Sequence, residues 1–284
     1  MNRAVKLGKW ALGFTAQTGI LLCAMLYFGQ DKMLLHPTRP GQFPPESIGA
    51  PGWATPWEQN GAYAGMVYAP LTAPKGTFVV YHGNAGTARD RENIARVLTD
   101  RGFRAVLVEY PEFDGRPGDA TLRNALQTSL ADFKQVQKTW PGPYYLLGES
   151  MGAGMVAQVA AQNLNTVAGV ALFTPWDSLY NATNGKFFGL PVGLMLKEKF
   201  DSVAALSAYK GPVVVVAAEK DSLIPVRHAK ALAAGHPGAK YLELAGSSHT
   251  SWPVYMKRPD WDAVLGHMTS APGEIEPARQ EPGS

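Results

Sequence analysis

Short apolar runs alternate with segments of helical character between residues 77 and 268, and this alternation constrains the fold more than any other feature. Strand-forming residues such as Val, Tyr and Phe fill the runs at 77–82, 105–110, 144–147, 167–173, 212–218 and 239–244. Helices are predicted between them, at about 90–100, 119–139, 152–162, 226–234 and 261–268. Several runs are continuously apolar, which is typical of strands covered on both faces. The pattern predicts an α/β domain whose central, mostly parallel sheet is flanked by helices.

The N-terminus has a basic flank followed by an uncharged run. Basic residues at positions 3, 6 and 9 precede residues 10–29, which contain no charged side chain. A run of roughly 20 residues matches a bilayer core, and the basic flank would stay on the cytoplasmic side. We expect a signal-anchor transmembrane helix over residues 1–30, with the rest of the chain on the non-cytoplasmic side of a membrane, periplasmic or lumenal. The alternatives are a cleaved signal peptide with secretion of the mature protein, because only residues 19–28 are densely apolar, and a buried core helix.

Prolines at positions 37, 40, 44, 45, 51 and 56 interrupt the next part of the chain. Because proline fixes φ and has no backbone N–H, a regular helix or a central strand is excluded there. We expect a linker over residues 31–59, followed by one domain over 60–268 with an antiparallel edge strand at 67–69. The last residues are rich in Pro, Gly, Glu and Ser without apolar periodicity, which predicts a disordered tail over 269–284.

Residues 174–210 break the alternation, because the interval is longer than a simple crossover helix and is rich in large apolar side chains. We expect a short cap over the carboxyl edge of the sheet, where open α/β proteins place their sites. An ordinary helix with a long loop is the alternative. The expected substrate-binding residues of this cap are Phe187, Phe188, Leu190, Leu194 and Met195.

Charge and cysteine content exclude several classes of function. Lys and Arg number 26 against 23 Asp and Glu, a net charge of +3, and no block of basic residues offers a phosphate-binding face. Nucleic acid is therefore not an expected partner. The single cysteine, Cys23, cannot form an intramolecular disulfide or a cysteine-based metal cluster. The sequence has no P-loop or dinucleotide fingerprint, so we expect no metal and no cofactor.

Residues 148–152, Gly-Glu-Ser-Met-Gly, fit the pattern G-x-S-x-G and lie directly between a predicted strand and a predicted helix. A serine hydroxyl is a poor nucleophile unless it is exposed and aimed at a base. A sharp strand-to-helix turn provides the exposure. Ser150 is therefore the expected nucleophile, and a tight turn without chemistry is the alternative.

The partners of Ser150 are expected in the loops that follow the last two strands. His249 lies just beyond the run at 239–244 and is the expected general base. Asp221 follows the run at 212–218 and is the expected acid that fixes the imidazole tautomer. Glu219 and Asp201 remain rival acids, although the first is two residues out of place and the second lies in the expected cap.

A tetrahedral oxyanion needs at least two hydrogen-bond donors. Residues 82–86, His-Gly-Asn-Ala-Gly, follow the first predicted strand, and the backbone amides of Asn84 and Met151 are the expected pair. The helix N-terminus after Ser150 adds a positive backbone dipole. We interpret His82 as a structural residue that holds this loop, and a simple turn role for Asn84 is the alternative.

Taken in order, these motifs resemble those of the α/β-hydrolase superfamily. H-G-N-A-G at 82–86, G-x-S-x-G at 148–152, D-x-x-x-P at 221–225 and S-H at 248–249 all match, and the order Ser, Asp, His is the order of that superfamily. The resemblance covers about residues 60–268 and is closest to small, N-terminally anchored serine esterase-like members. It implies an α/β-hydrolase fold that hydrolyses acyl esters, thioesters or lipids through an acyl-enzyme. The alternatives are an acyltransferase or peptidase with the same triad, and a non-catalytic membrane-anchored binding module.

One loop departs from the pattern of that superfamily. Such proteins often have a glycine-rich turn after the strand that ends here in Glu109 and Tyr110, but this chain has Glu112 and Asp114 where glycine is expected. We expect the loop to visit positive φ less freely and the rim of the site to be acidic. A solvated loop without catalytic consequence is the alternative.

Overall fold

The computed structural model describes residues 3–38, 53–184, 186 and 190–270, and residues 3–16 by their backbone alone. The strands are β1 (Ala54–Gln59), β2 (Ala62–Tyr68), β3 (Thr77–Tyr81), β4 (Arg104–Val108), β5 (Tyr144–Glu149), β6 (Val167–Phe173), β7 (Val213–Ala218) and β8 (Lys240–Leu244). The helices are α1 (Arg3–Leu34), α2 (Glu92–Thr99), α3 (Leu122–Thr139), α4 (Met151–Ala161), α5 (Leu179–Thr183), α6 (Val192–Met195), α7 (Ser202–Leu206), α8 (Arg227–Ala234), α9 (Trp252–Tyr255) and α10 (Arg258–Thr269).

The eight strands form one sheet in the order β1-β2-β4-β3-β5-β6-β7-β8. The pairs β1·β2 and β2·β4 are antiparallel, and every pair from β4 to β8 is parallel. All six residues of β7 are buried, because helices cover both faces of the sheet. The predicted mostly parallel sheet flanked by helices is confirmed. Its parallel strands end at one edge, and the loops of that edge can bring side chains together.

Apolar cores fill both faces of the sheet. One core joins the sheet to α3, α4, α7 and α8, and includes Phe133, Met155 and Leu206. The other joins it to α2 and α10, and includes Ile94 and Trp261. Burial of both sheet faces is the main stabilising contribution, at about 25 cal/mol per Å² of apolar surface.

The start of the domain differs from the prediction. Residues 54–59, predicted as linker, form the strand β1, which pairs with β2 and is the edge strand among the described strands. Pro56 is tolerated there because an edge strand has one side without ladder hydrogen bonds. The strand predicted at 67–69 is longer and lies second in the sheet instead of at its edge. Residues 39–52 of the predicted linker lie outside the described residues.

The helix α1 extends beyond the predicted anchor and ends at Leu34. Within the part of the chain that the structure describes, no helix is long and apolar enough to cross a membrane. The predicted transmembrane signal-anchor is therefore not supported. The helix instead continues into Gln30 and Asp31, whose side chains bind the domain. The cellular location stays a prediction.

The interval predicted as a cap contains the short helices α5, α6 and α7 in place of one crossover helix. A bridge between Ser178 and Asp201 joins its two ends. Phe187 and Phe188 lie outside the described residues, as do residues 271–284 of the predicted tail.

Candidate active site

Ser150 lies at the sharp turn between β5 and α4. Its backbone has φ 51° and ψ −115°, a conformation that costs a non-glycine residue about 1–3 kcal/mol. The turn is tight because two glycines let backbones approach closely. A Cβ on Gly148 would lie 2.3 Å from the carbonyl oxygen of Gly152, and a Cβ on Gly152 would lie 2.1 Å from that of Tyr81. The packing of α4 against β3 therefore holds the strained turn and presents the Ser150 hydroxyl at the carboxyl edge of the sheet.

His249 and Asp221 reach Ser150 from the loops after β8 and β7. The Nε2 atom of His249 lies 2.9 Å from Ser150 Oγ, and its Nδ1 atom lies 2.6 Å from Asp221 Oδ2. Nδ1 therefore donates to the carboxylate, which leaves Nε2 to accept the serine proton. The structure brings all three sequence-predicted residues into one hydrogen-bonded chain.

The loop after β7 fixes the Asp221 carboxylate. Its Oδ1 atom accepts hydrogen bonds from the amides of Leu223, at 2.9 Å, and Ile224, at 2.7 Å. Asp221 is 7% exposed. Three donors thus satisfy a buried carboxylate, so it stays oriented toward the imidazole.

The two rival acids have other partners. Glu219 accepts a hydrogen bond from the amide of Gly246 at 2.6 Å, and Asp201 accepts one from the amide of Ala204 at the start of α7. Neither carboxylate contacts His249 within the described residues. Both therefore hold backbone in place and do not compete with Asp221.

The expected oxyanion donors lie on either side of Ser150. Asn84 is in the loop after β3 and lines the same cavity as Ser150 and His249, while Met151 is the first residue of α4. Among the residues described, neither backbone amide donates a hydrogen bond to another group. Both amides are therefore available to a substrate oxygen.

A buried pair, His82 and Glu109, holds the loop that contains Asn84. The two ring nitrogens of His82 lie 2.8 Å from the carbonyl oxygen of Gly83 and 2.8 Å from Glu109 Oε1. Glu109 Oε2 accepts the amide of Ala88 at 2.9 Å. The hydroxyl of Tyr110 donates to the carbonyl of His82 at 3.0 Å, and burial raises the pKa of Tyr110 well above its ordinary value. These contacts agree with the structural interpretation of His82.

A second pair, Glu149 and Arg91, holds the same loop and was missed from the sequence. Glu149 Oε1 accepts the amide of Gly83 at 3.1 Å and both Nε and Nη2 of Arg91. Arg91 also donates to the carbonyls of Thr87, at 3.2 Å, and Ala85, at 3.4 Å. Glu149 is a variable position of the G-x-S-x-G pattern and Arg91 precedes a helix, so neither has a local signal. The pair forms because β5, which ends at Glu149, lies beside β3, and the segment that follows β3 contains Arg91.

Ser150 and His249 open into a cavity of about 320 Å³. The lining of the cavity includes polar side chains from the start of α2 and the residues before it, among them Asp90, Arg91 and Asn93. It also includes Trp252 and Pro253 of α9. A larger depression of about 660 Å³ is lined by residues such as Lys75 and lies near the starts of β3 and β4, away from these groups. The cavity that contains the serine is therefore the candidate substrate site.

The described cap residues do not line this cavity, and their substrate-binding role stays a prediction. Leu194 is 84% exposed, and Leu190 is absent from the cavity wall. Met195 lines a separate apolar groove between α6 and the end of α1, beside Leu26 and Met33. The end of α1, which was predicted as part of a membrane anchor, therefore packs beside α6.

The loop after Tyr110 also differs from the prediction. Glu112 and Asp114 both adopt positive φ, 71° and 45°. The amide of Asp114 donates to the carbonyl of Thr38 and its carboxylate accepts from Arg89 at 2.9 Å. Tertiary contacts therefore stabilise a conformation that glycine would adopt more easily. Neither carboxylate lines the cavity, so the rim is not made acidic by these two residues.

Comparison with known proteins finds similarity in sequence and in fold. Residues 72–187 match the family model described as serine aminopeptidase, S33. An uncharacterized protein of Mycobacterium tuberculosis is 26% identical over 258 residues, which cover 86% of this chain and 89% of the relative.

Solved structures extend the likeness to the fold. Est1E from Butyrivibrio proteoclasticus has a TM-score of 0.60 and 16% identity, and covers 76% of this chain and 99% of its own. TT1662 from Thermus thermophilus has a TM-score of 0.61 and 18% identity, and covers 77% and 98%.

The eight-stranded sheet and its neighbours define an α/β-hydrolase fold. The family match together with these neighbours supports a hydrolase.

Proposed function

We propose that this protein is a serine hydrolase that cleaves small acyl esters or thioesters through an acyl-enzyme. The observation that supports it most is the continuous hydrogen-bonded chain from Asp221 through His249 to Ser150. Such a chain activates a serine hydroxyl that would otherwise be a poor nucleophile.

In the first half of the proposed reaction, Ser150 Oγ attacks the acyl carbon while its proton passes to His249 Nε2. Asp221 stabilises the imidazolium that forms. The carbonyl oxygen becomes negative, and the amides of Asn84 and Met151 donate to it. The tetrahedral intermediate then expels an alcohol or thiol, which takes the proton from His249 Nε2. An acyl group remains on Ser150.

In the second half, a water molecule gives its proton to His249 and attacks the acyl carbon. The intermediate expels Ser150 Oγ, which takes the proton back, and the free acid leaves. No electron transfer is involved, and every proton passes through His249 Nε2.

The size of the cavity favours small acyl groups. A volume of about 320 Å³ is at the lower end of ligand pockets, and one of its walls is polar. One structure of Est1E contains ferulic acid. A compact aromatic acyl group of that kind suits a cavity with Trp252 in its wall better than a long aliphatic chain does.

Peptide hydrolysis is the second candidate, because the matched family model is described as a serine aminopeptidase. An aminopeptidase needs a free anionic or polar group to bind the substrate ammonium. The carboxylates in the described cavity wall are Asp90 and Glu149, and both form ion pairs with Arg91, so neither presents an uncompensated negative charge to a substrate ammonium. The geometry therefore favours ester substrates.

The test is a substrate panel with the purified full chain. It contains acetyl, butyryl, octanoyl, palmitoyl and feruloyl esters, an acetyl thioester and aminoacyl naphthylamides, each measured with and without added alcohol as acyl acceptor. We expect the highest kcat/KM for the short and feruloyl esters, free acid as the main product, and no turnover by Ser150→Ala. Faster cleavage of the aminoacyl naphthylamides would indicate a peptidase, and formation of new esters from the added alcohol would indicate a transferase. The absence of both turnover and fluorophosphonate labelling would indicate a non-catalytic module.

A further inference from the structure

The last turn of α1 and the residues that follow it cross the domain and contact the loop of Asn84, the expected oxyanion donor. We call residues 30–38 the N-terminal strap. The backbone N–H of His36 donates a hydrogen bond to the carbonyl oxygen of Asn84 at 2.8 Å. The sequence predicts this segment as anchor and linker, whereas the structure places it against the site.

The strap helps to fix the position of Asn84. The bond from His36 is the one hydrogen bond that Asn84 makes anywhere in the described residues. The pairs described above hold Gly83, on the preceding side, and Ala85, on the following side. The carbonyl and the amide of Asn84 belong to adjacent peptide planes that share its Cα. The plane of the amide also contains the Gly83 carbonyl, which contacts His82, so the bond from His36 fixes Asn84 at the far end of that plane and keeps its Cα in place.

The strap is itself firmly attached to the domain. Leu35 is 2% exposed and belongs to the core formed with α3 and α4, and Thr38 is 8% exposed. The carbonyl of Thr38 accepts the amide of Asp114 at 2.8 Å. His36 thus lies between two buried residues, and the strap forms a fixed support at that point.

The other end of the strap is attached to the cap and to α3. The side chain of Gln30 donates to the carbonyl of Met195 at 2.9 Å and accepts the amide of Lys197 at 3.0 Å. Asp31 forms an ion pair with Lys197 at 2.8 Å and accepts the amide of Leu122 at 3.3 Å. The strap therefore joins the cap, α3 and the loop of Asn84.

We propose that the N-terminal strap is a positioning element of the active site, which holds the Asn84 amide toward the developing oxyanion. The inference rests on the proposed function, because it assigns the strap a role in the same reaction. An oxyanion donor acts mainly in the transition state, so loss of its orientation lowers kcat and leaves KM nearly unchanged.

The experiment compares His36→Pro with His36→Ala in the full chain. Proline removes the N–H that binds Asn84, and alanine keeps it while removing the imidazole. We expect His36→Pro to lower kcat for an acetyl ester about 10- to 100-fold, since complete loss of one donor costs about 10²–10³. KM should change less than about twofold, and His36→Ala should keep near-native kcat. Affinity for a trifluoromethyl ketone, which mimics the tetrahedral intermediate, should fall in parallel with kcat.

A second variant covers the case in which His36→Pro does not fold. Replacing His36 by its α-hydroxy analogue exchanges the N–H for an ester oxygen at almost constant shape, and the same loss of kcat is expected. A folded variant of either kind with kcat within twofold of the wild type would overturn the proposal. An equal loss in His36→Ala would also overturn it, because that variant keeps the bond. If the wild type neither turns over esters nor labels with a fluorophosphonate, the proposed function fails first.

Discussion

Exchanging Asp221 for asparagine tests the acid of the triad at nearly constant shape. The Oδ1 atom of an asparagine can still accept from the amides of Leu223 and Ile224, which lie 2.9 and 2.7 Å from Oδ1 of the aspartate. The amide NH₂ group then takes the place of Oδ2, which is 2.6 Å from His249 Nδ1. A donor would face Nδ1, so the imidazole adopts the tautomer in which Nδ1 accepts and Nε2 is protonated.

The size of the effect follows from that change of tautomer. A protonated Nε2 cannot take the proton of Ser150, and no carboxylate stabilises the imidazolium. We expect kcat to fall about 10⁴-fold, which corresponds to about 5.4 kcal/mol of transition-state stabilisation. Every buried donor and acceptor keeps a partner, so the free energy of unfolding should change by less than about 1 kcal/mol.

The assay is steady-state hydrolysis of an acetyl ester, with thermal unfolding measured on the same samples. Asp201→Asn and Glu219→Gln are matched controls, because within the described residues each carboxylate binds a backbone amide and neither binds His249, and each should lower kcat less than about tenfold. If Asp221→Asn retained more than a tenth of native kcat, or if a control lost more than Asp221→Asn, Asp221 would not be the acid that orients His249.

Three further substitutions test other parts of the account. Glu149→Gln removes the carboxylate that accepts both Nε and Nη2 of Arg91 and leaves Arg91 with the longer ion pair to Asp90 at 3.7 Å, so calorimetry should show a loss of about 1.5–3 kcal/mol and kinetics a roughly tenfold lower kcat; native values in both would contradict the role of this pair. Gly152→Ala places a methyl group 2.1 Å from a carbonyl oxygen of β3 and should yield no stably folded protein, whereas Gly266→Ala, with open space around it, should be tolerated. Leu194→Ser, at an exposed position outside the cavity, should leave kcat/KM for acetyl and butyryl esters within twofold of the wild-type value. A tenfold change would indicate that the cap contacts the acyl group of the substrate.

The parallel sheet and the positions of the triad residues could be predicted because their signals are local. A buried parallel strand must be apolar along its length, as β7 is, and a strand-to-helix turn needs glycine where backbones meet. Once the strands were assigned, Asp221 and His249 followed from the loops after them. Their hydrogen bonds to each other and to Ser150 agree with that prediction in geometry.

Other features depend on contacts between distant parts of the chain. Glu149 and Arg91 are 58 positions apart, and nothing near either residue indicates the pair. The positive φ of Glu112 and Asp114 is held by neighbours that include Thr38, which belongs to the strap. The uncharged run at residues 10–29 and the proline-rich segment after it would have the same sequence pattern whether they extend away from the domain or pack against it. For that reason the role of α1 and the strap could not be predicted from hydropathy.

The acyl group that the account places on Ser150 can be observed directly. A slowly hydrolysed ester is mixed with the full chain, the reaction is quenched in acid within milliseconds to seconds, and the protein is digested and analysed by mass spectrometry. We predict that the peptide containing Ser150 gains the mass of the acyl group, that the adduct disappears as substrate is exhausted, and that Ser150→Ala gives no adduct. Turnover without any adduct on Ser150, or an adduct that forms equally in Ser150→Ala, would contradict the assignment of Ser150 as the nucleophile.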